Sequence, residues 1–169
     1  YSHEHTLLGT GGGLNAAKWF FEDQSFLVIN GDTLIKLDVK ALIEFHRNHG
    51  GVATLVLRDD PQAAQWGTVE SDSQDRILRI NRRGLSDADS NGPSIERMFA
   101  GVHILHPAIL QGAPTNTPFS IIDSYTKELA RGSRMFGMVH AGYWSDVGTV
   151  ERYAHAQADA DAGLISLSP

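Results

Sequence analysis

The stretch that most constrains this chain is Ser25-Phe26-Leu27-Val28-Ile29-Asn30-Gly31-Asp32. A continuous apolar run rich in Phe, Val and Ile reads as a strand buried on both faces. The glycine that follows lets the backbone turn sharply, and Asp32 stands just past the strand's carboxyl end. In an open α/β sheet that edge is where ligands bind. A surface hairpin is the plainer reading, because Asn-Gly favours tight hairpin turns. A hairpin wants alternating strands on both sides, however, and the near side here is apolar throughout. The stretch therefore points to a buried strand that delivers a hard anionic ligand to a metal–phosphate site.

Strand and helix signals alternate around it. A glycine-rich loop precedes a short helix over residues 15–21, and the strand spans residues 25–30. Asp38 caps a helix to about His49, with Gly50-Gly51 ending it. Residues 52–57 (VATLVL) form a second buried-type strand. Residues 67–70 and 76–80 are shorter strands joined by the polar turn Asp72-Ser73-Gln74-Asp75. Residues 83–94, rich in Gly, Ser, Asp and Asn, read as a mobile loop. Residues 98–105 are another strand. Ser120 opens a helix with Asp123 three positions on, and Gly132 follows its end. Residues 135–140 are a strand, and Thr149 caps a last helix through the Ala- and Asp-rich segment to about Ala162, where Ala favours helix. The alternation implies an α/β fold with a mostly parallel sheet. No internal repeat or linker divides residues 1–169.

Two further segments carry candidate chemistry. In Leu7-Leu8-Gly9-Thr10-Gly11-Gly12-Gly13, backbone N–H groups can wrap a base or a phosphate because no Cβ blocks approach. Gly11-x-Gly13-x-x-Ala16 has the letters of the dinucleotide fingerprint, but no long strand precedes it. A tight turn is the alternative. In Gly142-Tyr143-Trp144-Ser145-Asp146-Val147-Gly148-Thr149, Asp146 is either a turn former or a second ligand, and Trp144 either core or pocket wall. Two aspartates that converge hold Mg²⁺ through oxygen ligands and leave room for phosphate oxygens. The histidine pairs His3-x-His5 and His46-x-x-His49 lack a third ligand and read as chance pairs. His103 and His106 flank the strand at Gly101 and receive no role.

Four motifs occur in order: Leu-Gly-Thr-x-Gly-Gly, the strand ending Asn-Gly-Asp, Phe99-Ala100-Gly101-Val102-His103-Ile104-Leu105, and Gly-Tyr-Trp-x-Asp-x-Gly-Thr-x-Glu-Arg-Tyr from Gly142 to Tyr153. This order resembles the sugar-1-phosphate nucleotidyltransferases, and among them the bacterial mannose-1-phosphate guanylyltransferase-like and N-acetylmuramate-1-phosphate uridylyltransferase-like members. The resemblance runs from about Glu4 to Tyr153. It implies a three-layer Rossmann-like α/β fold with a mixed, mostly parallel sheet of the nucleotide-diphospho-sugar transferase type. It also implies that a nucleoside triphosphate and a sugar 1-phosphate give an NDP-sugar and pyrophosphate. By resemblance, Asp32 and Asp146 are the catalytic Mg²⁺ ligands. Gly9, Thr10, Gly11 and Gly12, with Asn30 and Gly31, bind the nucleotide. Gly101 and Trp144 shape the sugar pocket. Arg83, which stands where the family carries Glu-Lys-Pro, can still meet the sugar phosphate bidentately; a solvated pair of arginines on a mobile loop is the alternative.

Two departures qualify the likeness. Where the family carries Glu-Lys-Pro, this chain has Arg82-Arg83-Gly84. The family's leading Gly-x-Gly-Thr-Arg loop and Pro-Lys-Pro segment do not occur. The chain thus corresponds to the C-terminal part of one nucleotidyltransferase domain, N-terminally truncated, and by itself is expected to be inactive. The alternatives are a non-catalytic nucleotide-sugar-binding regulatory module and, ranked low, a dehydrogenase fragment.

Composition excludes more than it identifies. The net charge of -6 argues against nucleic-acid or membrane-surface partners. No cysteine is present, so disulfides and Cys-based zinc sites are excluded. No apolar run approaches the ~20 residues of a membrane span, and the cytoplasm is the expected location. The expected partners are GTP or UTP and a sugar 1-phosphate, with a homo-oligomer left open.

Overall fold

A computed structural model of the chain describes residues 1–61, 63–85 and 92–165. The strands are β1 (Phe26–Ile29), β2 (Thr33–Ile35), β3 (Ala53–Arg58), β4 (Thr68–Ser71), β5 (Ile77–Ile80), β6 (Arg83–Gly84), β7 (Ile95–Leu105), β8 (Met135–Val139) and β9 (Trp144–Asp146). The helices are α1 (Gly9–Ala16), α2 (Val39–His49), α3 (Ala63–Trp66), α4 (Ile121–Ala130) and α5 (Val150–Asp161). The main sheet has the order β6-β5-β4-β7-β3-β8, with β1 also on β7, while β2 and β9 pair separately.

Strand β7 is the axis of this sheet. Leu105 pairs with both Phe26 and Ala53, and Met98 with both Arg58 and Thr68. Strand β3 therefore lines one edge of β7, while β4 and β1 share the other, β4 at its start and β1 at its end. Between them that edge opens at Gly101. There β7 advances from Phe99 to His103 while β3 moves only from Leu57 to Leu55. Such an excess of residues bends a strand and re-aims its side chains.

The sheet is mixed, as predicted, but the expectation of mostly parallel pairing needs correction. Strands β1, β3 and β8 do run the same way. Yet β7 lies antiparallel between β1 and β3, and in the main sheet only β3 and β8 pair in parallel. Strands β4, β5 and β6 follow one another through tight turns without a helical crossover, and such strands can only pair antiparallel.

Two apolar layers sandwich the sheet. Leu55, Leu57, Ile77, Tyr125 and Leu129 pack on the α4 side. Leu42, Val56, Ala100, Val102 and Ile104 pack on the α2 side. Residues of β3 feed both layers in alternation, which explains the continuous apolar run VATLVL. Strand β1 departs from its predicted burial on both faces: Phe26 and Val28 pack on the α4-side core, while Leu27 is 37% and Ile29 48% exposed. A cavity of about 600 Å³, lined by Leu27, Ile43 and His46, lies between β1 and α2, so α2 does not cover that face.

The predicted caps form. Asp38 Oδ1 accepts from Ala41 N at 3.0 Å, Ser120 Oγ from Ile122 N at 3.3 Å and Thr149 Oγ1 from Arg152 N at 3.3 Å. Each such cap contributes ~1 kcal/mol. Gly50 and Gly132 end α2 and α4 in the left-handed region. The first helix differs from its expected span: α1 begins at Gly9, and a 3₁₀ turn at Lys18–Phe20 replaces the end of the 15–21 helix. Arg83 and Gly84 form β6 rather than part of the 83–94 loop, and β7 begins at Ile95. Residues 86–91 of that loop lie outside the described residues.

Candidate functional site

Two carboxylates meet at the tip of the small sheet. Thr33 stands opposite Asp146 in the β2–β9 register. Asp32, one residue before β2, is thereby brought beside the end of β9, where its carbonyl accepts from Val147 N at 2.8 Å. The turn into α5 is closed by Gly148 N donating to Asp146 Oδ1 at 2.9 Å. A Cβ built on Gly148 would lie 3.1 Å from Asp32 Oδ2, 3.1 Å from Asp146 Oδ1 and 3.4 Å from Arg152 Nη2. Three charged groups thus surround one bare backbone position. Arg152 Nη2 pairs with Asp146 Oδ1 at 3.0 Å.

An aromatic wall stands behind the pair. Trp144 Nε1 donates to the Ala100 carbonyl at 2.9 Å, pinning the indole one residue from Gly101. Trp66 meets Trp144 edge to face, with ring centres 6.1 Å apart. Arg58 lies 5.7 Å from the Trp144 ring centre, and Arg152 4.9 Å from that of Trp66. Cations over indole faces are attracted by the ring quadrupole. Arg58 also donates to the Gly142 carbonyl at 2.6 Å, fixing the loop that carries Trp144.

Gly101 closes the space between these groups. Its φ is +76°, and a Cβ there would lie 2.6 Å from Thr33 Oγ1 and 3.0 Å from Asn30 Nδ2. Only glycine meets both the conformation and the contact. Asn30 also lines a cavity of about 240 Å³ with Gly9, Thr10, Gly13 and His103, which joins the glycine-rich segment to the same cleft.

The predicted residues therefore fall into three groups. Asp32, Asp146, Gly101, Trp144 and Asn30 come together, with Gly9 and Thr10 beside Asn30. Gly11 and Gly12 are buried, and a Cβ on Gly11 would lie 2.2 Å from the Phe119 ring. Their amides donate to the Phe119 carbonyl at 3.0 and 3.3 Å, and their lack of side chains lets α1 dock there. Gly31 borders a separate cavity against α5 with Leu34 and Tyr153. Arg83 is also set apart. It sits on β6, with β5 and β4 between it and β7, and pairs with Asp123 of α4 at 3.1 Å.

Sequence reading passed over Arg58, Trp66, Gly148 and Arg152. Arg58 had a signal, the carboxyl end of a buried strand, and Arg152 stood inside a quoted motif. Trp66 had none, because only the fold brings it to Trp144.

His46 hydrogen bonds Thr54 Oγ1 at 2.9 Å and Ser25 Oγ at 3.1 Å. His103 is buried in the core with Nδ1 on the Tyr125 hydroxyl, and burial pushes its imidazole down to about 3. Among the described residues no group of three or more His, Cys, Asp or Glu could hold a metal ion. None of their helices is long and apolar enough to cross a membrane.

Comparisons with known proteins bear on the family and the fold. The family model described as "Nucleotidyl transferase" matches residues 1–163. The mannose-1-phosphate guanylyltransferase of Mycobacterium tuberculosis is 29% identical over 97% of this chain, which spans 45% of that protein. The D-glycero-alpha-D-manno-heptose 1-phosphate guanylyltransferase of Aneurinibacillus thermoaerophilus is 27% identical over 94% of the chain and 66% of its own length. Among solved structures, HddC from Yersinia pseudotuberculosis complexed with GMP-PN superposes with a TM-score of 0.71 at 24% identity, covering 93% of this chain and 64% of that one. A UDP-glucose pyrophosphorylase complexed with UDP-glucose gives 0.72 at 17% identity, covering 94% and 64%. These two likenesses establish the nucleotide-diphospho-sugar transferase fold.

Proposed function

This chain belongs to the nucleotidyl transferase family, the sugar-1-phosphate nucleotidyltransferases of the sequence resemblance, and from that premise we propose that it serves the synthesis of an NDP-sugar and pyrophosphate from a nucleoside triphosphate and a sugar 1-phosphate. The observation that carries the proposal is the approach of Asp32 and Asp146 across Gly148. Two carboxylates on one open side suit Mg²⁺, which commonly takes one or two carboxylates and completes its octahedron with water and substrate phosphates. That preference also accounts for a site without a third acidic or imidazole ligand. Bound there, Mg²⁺ would neutralise charge on the reacting phosphates.

The chain's own residues do the positioning. Asn30, Gly9 and Thr10 border the space for the nucleoside. Gly101 lets the sugar hydroxyls approach main chain, and Trp144, braced by Arg58 and the Ala100 carbonyl, walls the sugar side. Phosphoryl transfer of this kind depends on positioning and charge stabilisation and needs no covalent enzyme intermediate. The two curated relatives named above are both guanylyltransferases acting on manno-configured sugars, which supports GTP and a mannose-type 1-phosphate as the substrates.

Thermal shift with GDP-mannose and Mg²⁺ tests the reading. GDP-mannose alone should give no shift, Mg²⁺ alone a small one and both together the largest, and Asp32→Asn should abolish the shift. Stabilisation that persists in EDTA or in Asp32→Asn would refute it.

A further inference from the structure

Arg152 is a cation with an unfinished set of partners. One terminal nitrogen lies on Asp146 Oδ1 at 3.0 Å, and the guanidinium plane rests over the Trp66 ring. Its Nε is buried and makes no hydrogen bond to any described residue. A buried donor left without an acceptor is costly, and native structures seldom keep one without a reason. The fork formed by Nε and a terminal nitrogen matches two oxygens of a phosphate. Arg58, on the other indole, also has a buried Nε without a hydrogen bond, but the Gly142 and His140 carbonyls hold its Nη1 and make it a strut, whereas the terminal nitrogen of Arg152 rests on a carboxylate that a metal can claim.

The carboxylate that Arg152 pairs with is also the one that a divalent cation would claim. We propose that Arg152 is a substrate ligand parked on Asp146. When Asp146 turns to a divalent cation, the guanidinium passes to a phosphoryl oxygen of the sugar nucleotide, keeping Trp66 as its platform. The assignment rests on the reading of Asp32 and Asp146 as the metal-holding pair. It supplies the phosphate-binding cation that the sequence sought in Arg83, which the fold places on the outer strand. It also explains the geometry at Gly148, where a side chain would obstruct Asp32, Asp146 and Arg152 at once.

The proposal predicts effects of opposite sign. Arg152→Met removes a competitor for Asp146 and a ligand for phosphate. Mn²⁺ uptake by the chain alone, read from the spin-resonance signal of free Mn²⁺, should tighten about 2- to 5-fold. GDP-mannose binding with Mg²⁺, measured by titration calorimetry, should weaken about 10-fold or more. Arg152→Lys should keep native Mn²⁺ affinity and recover only part of the GDP-mannose affinity, since ammonium lacks the fork. A purely structural role, such as docking α5, would weaken both ligands together, and that result overturns the proposal. So does unchanged binding in Arg152→Met while Asp32→Asn still abolishes Mn²⁺ uptake, which leaves the metal reading intact. Absence of Mn²⁺ uptake in native and Arg152→Met protein overturns both.

Discussion

Asp32 and Asp146, separated by more than a hundred residues of sequence, come equally close to the bare Cα of Gly148: each presents an oxygen 3.1 Å from where a Cβ would stand. The relationship follows from the β2–β9 register, which sets Thr33 against Asp146. A methyl group between the carboxylates should push them apart by a few tenths of an ångström. Gly148 is not in the left-handed region, so backbone strain is not the issue. Gly148→Ala should therefore keep its Tm while Mn²⁺ affinity falls by roughly 10-fold, or about 1.4 kcal/mol. Mn²⁺ titration and a thermal melt of the same sample check this.

Gly101→Ala should fail differently. Here the left-handed φ and the contacts with Thr33 and Asn30 act together. We expect a loss of ~1–3 kcal/mol in unfolding free energy, with GDP-mannose binding lost even where the protein stays folded. Urea titration and calorimetry separate the two effects.

These two glycines also show what the sequence could disclose. Gly101 was legible as a close-approach position within a family-like strand, and Asp32 as the end of a buried strand. Local rules suffice for such features: apolar runs, caps and glycine punctuation marked α2, α4, α5, β3, β5 and β8 within a few residues. The β2–β9 pairing was not legible, because two three-residue strands carry almost no periodic signal and pair across most of the chain. Gly11 and Gly12 were ambiguous for a related reason. A glycine that admits a ligand and one that admits Phe119 look the same in sequence. Arg83 and Arg152 were both exposed-looking cations, and only the strand order separates the outer strand from the cleft.

The buried pair His103 and Tyr125 sets a pH dependence of stability. The imidazole titrates near 6.5 when unfolded and is pushed down to about 3 in the fold by burial. The unfolded chain thus binds the extra proton below 6.5. The contribution is complete above that pH and is lost as pH falls towards 3, by up to about 1.4 kcal/mol per pH unit. His46, lowered by burial and by nearby His106, acts in the same direction. A His103→Leu, Tyr125→Phe double variant removes both partners and should flatten the slope between about pH 6.5 and about pH 5. Urea melts across that window measure it, and an unchanged slope would show that His103 does not stay neutral in the fold.

Trp144 should matter more to ligand than to fold. Trp144→Phe keeps an aromatic wall but deletes the Nε1 bond to the Ala100 carbonyl. We expect a stability loss of ~1 kcal/mol and a several-fold weaker GDP-mannose complex, both read from titrations at fixed Mg²⁺.

The central claim is that Asp32 and Asp146 share one divalent cation with the phosphates of a sugar nucleotide. Anomalous diffraction from crystals grown with Mn²⁺ and GDP-mannose tests it most directly. The account predicts one strong peak between Asp32 Oδ2 and Asp146 Oδ1, with a diphosphate oxygen on its open side. Ordered GDP-mannose with no peak at that position, or with the metal held by other residues, would contradict it.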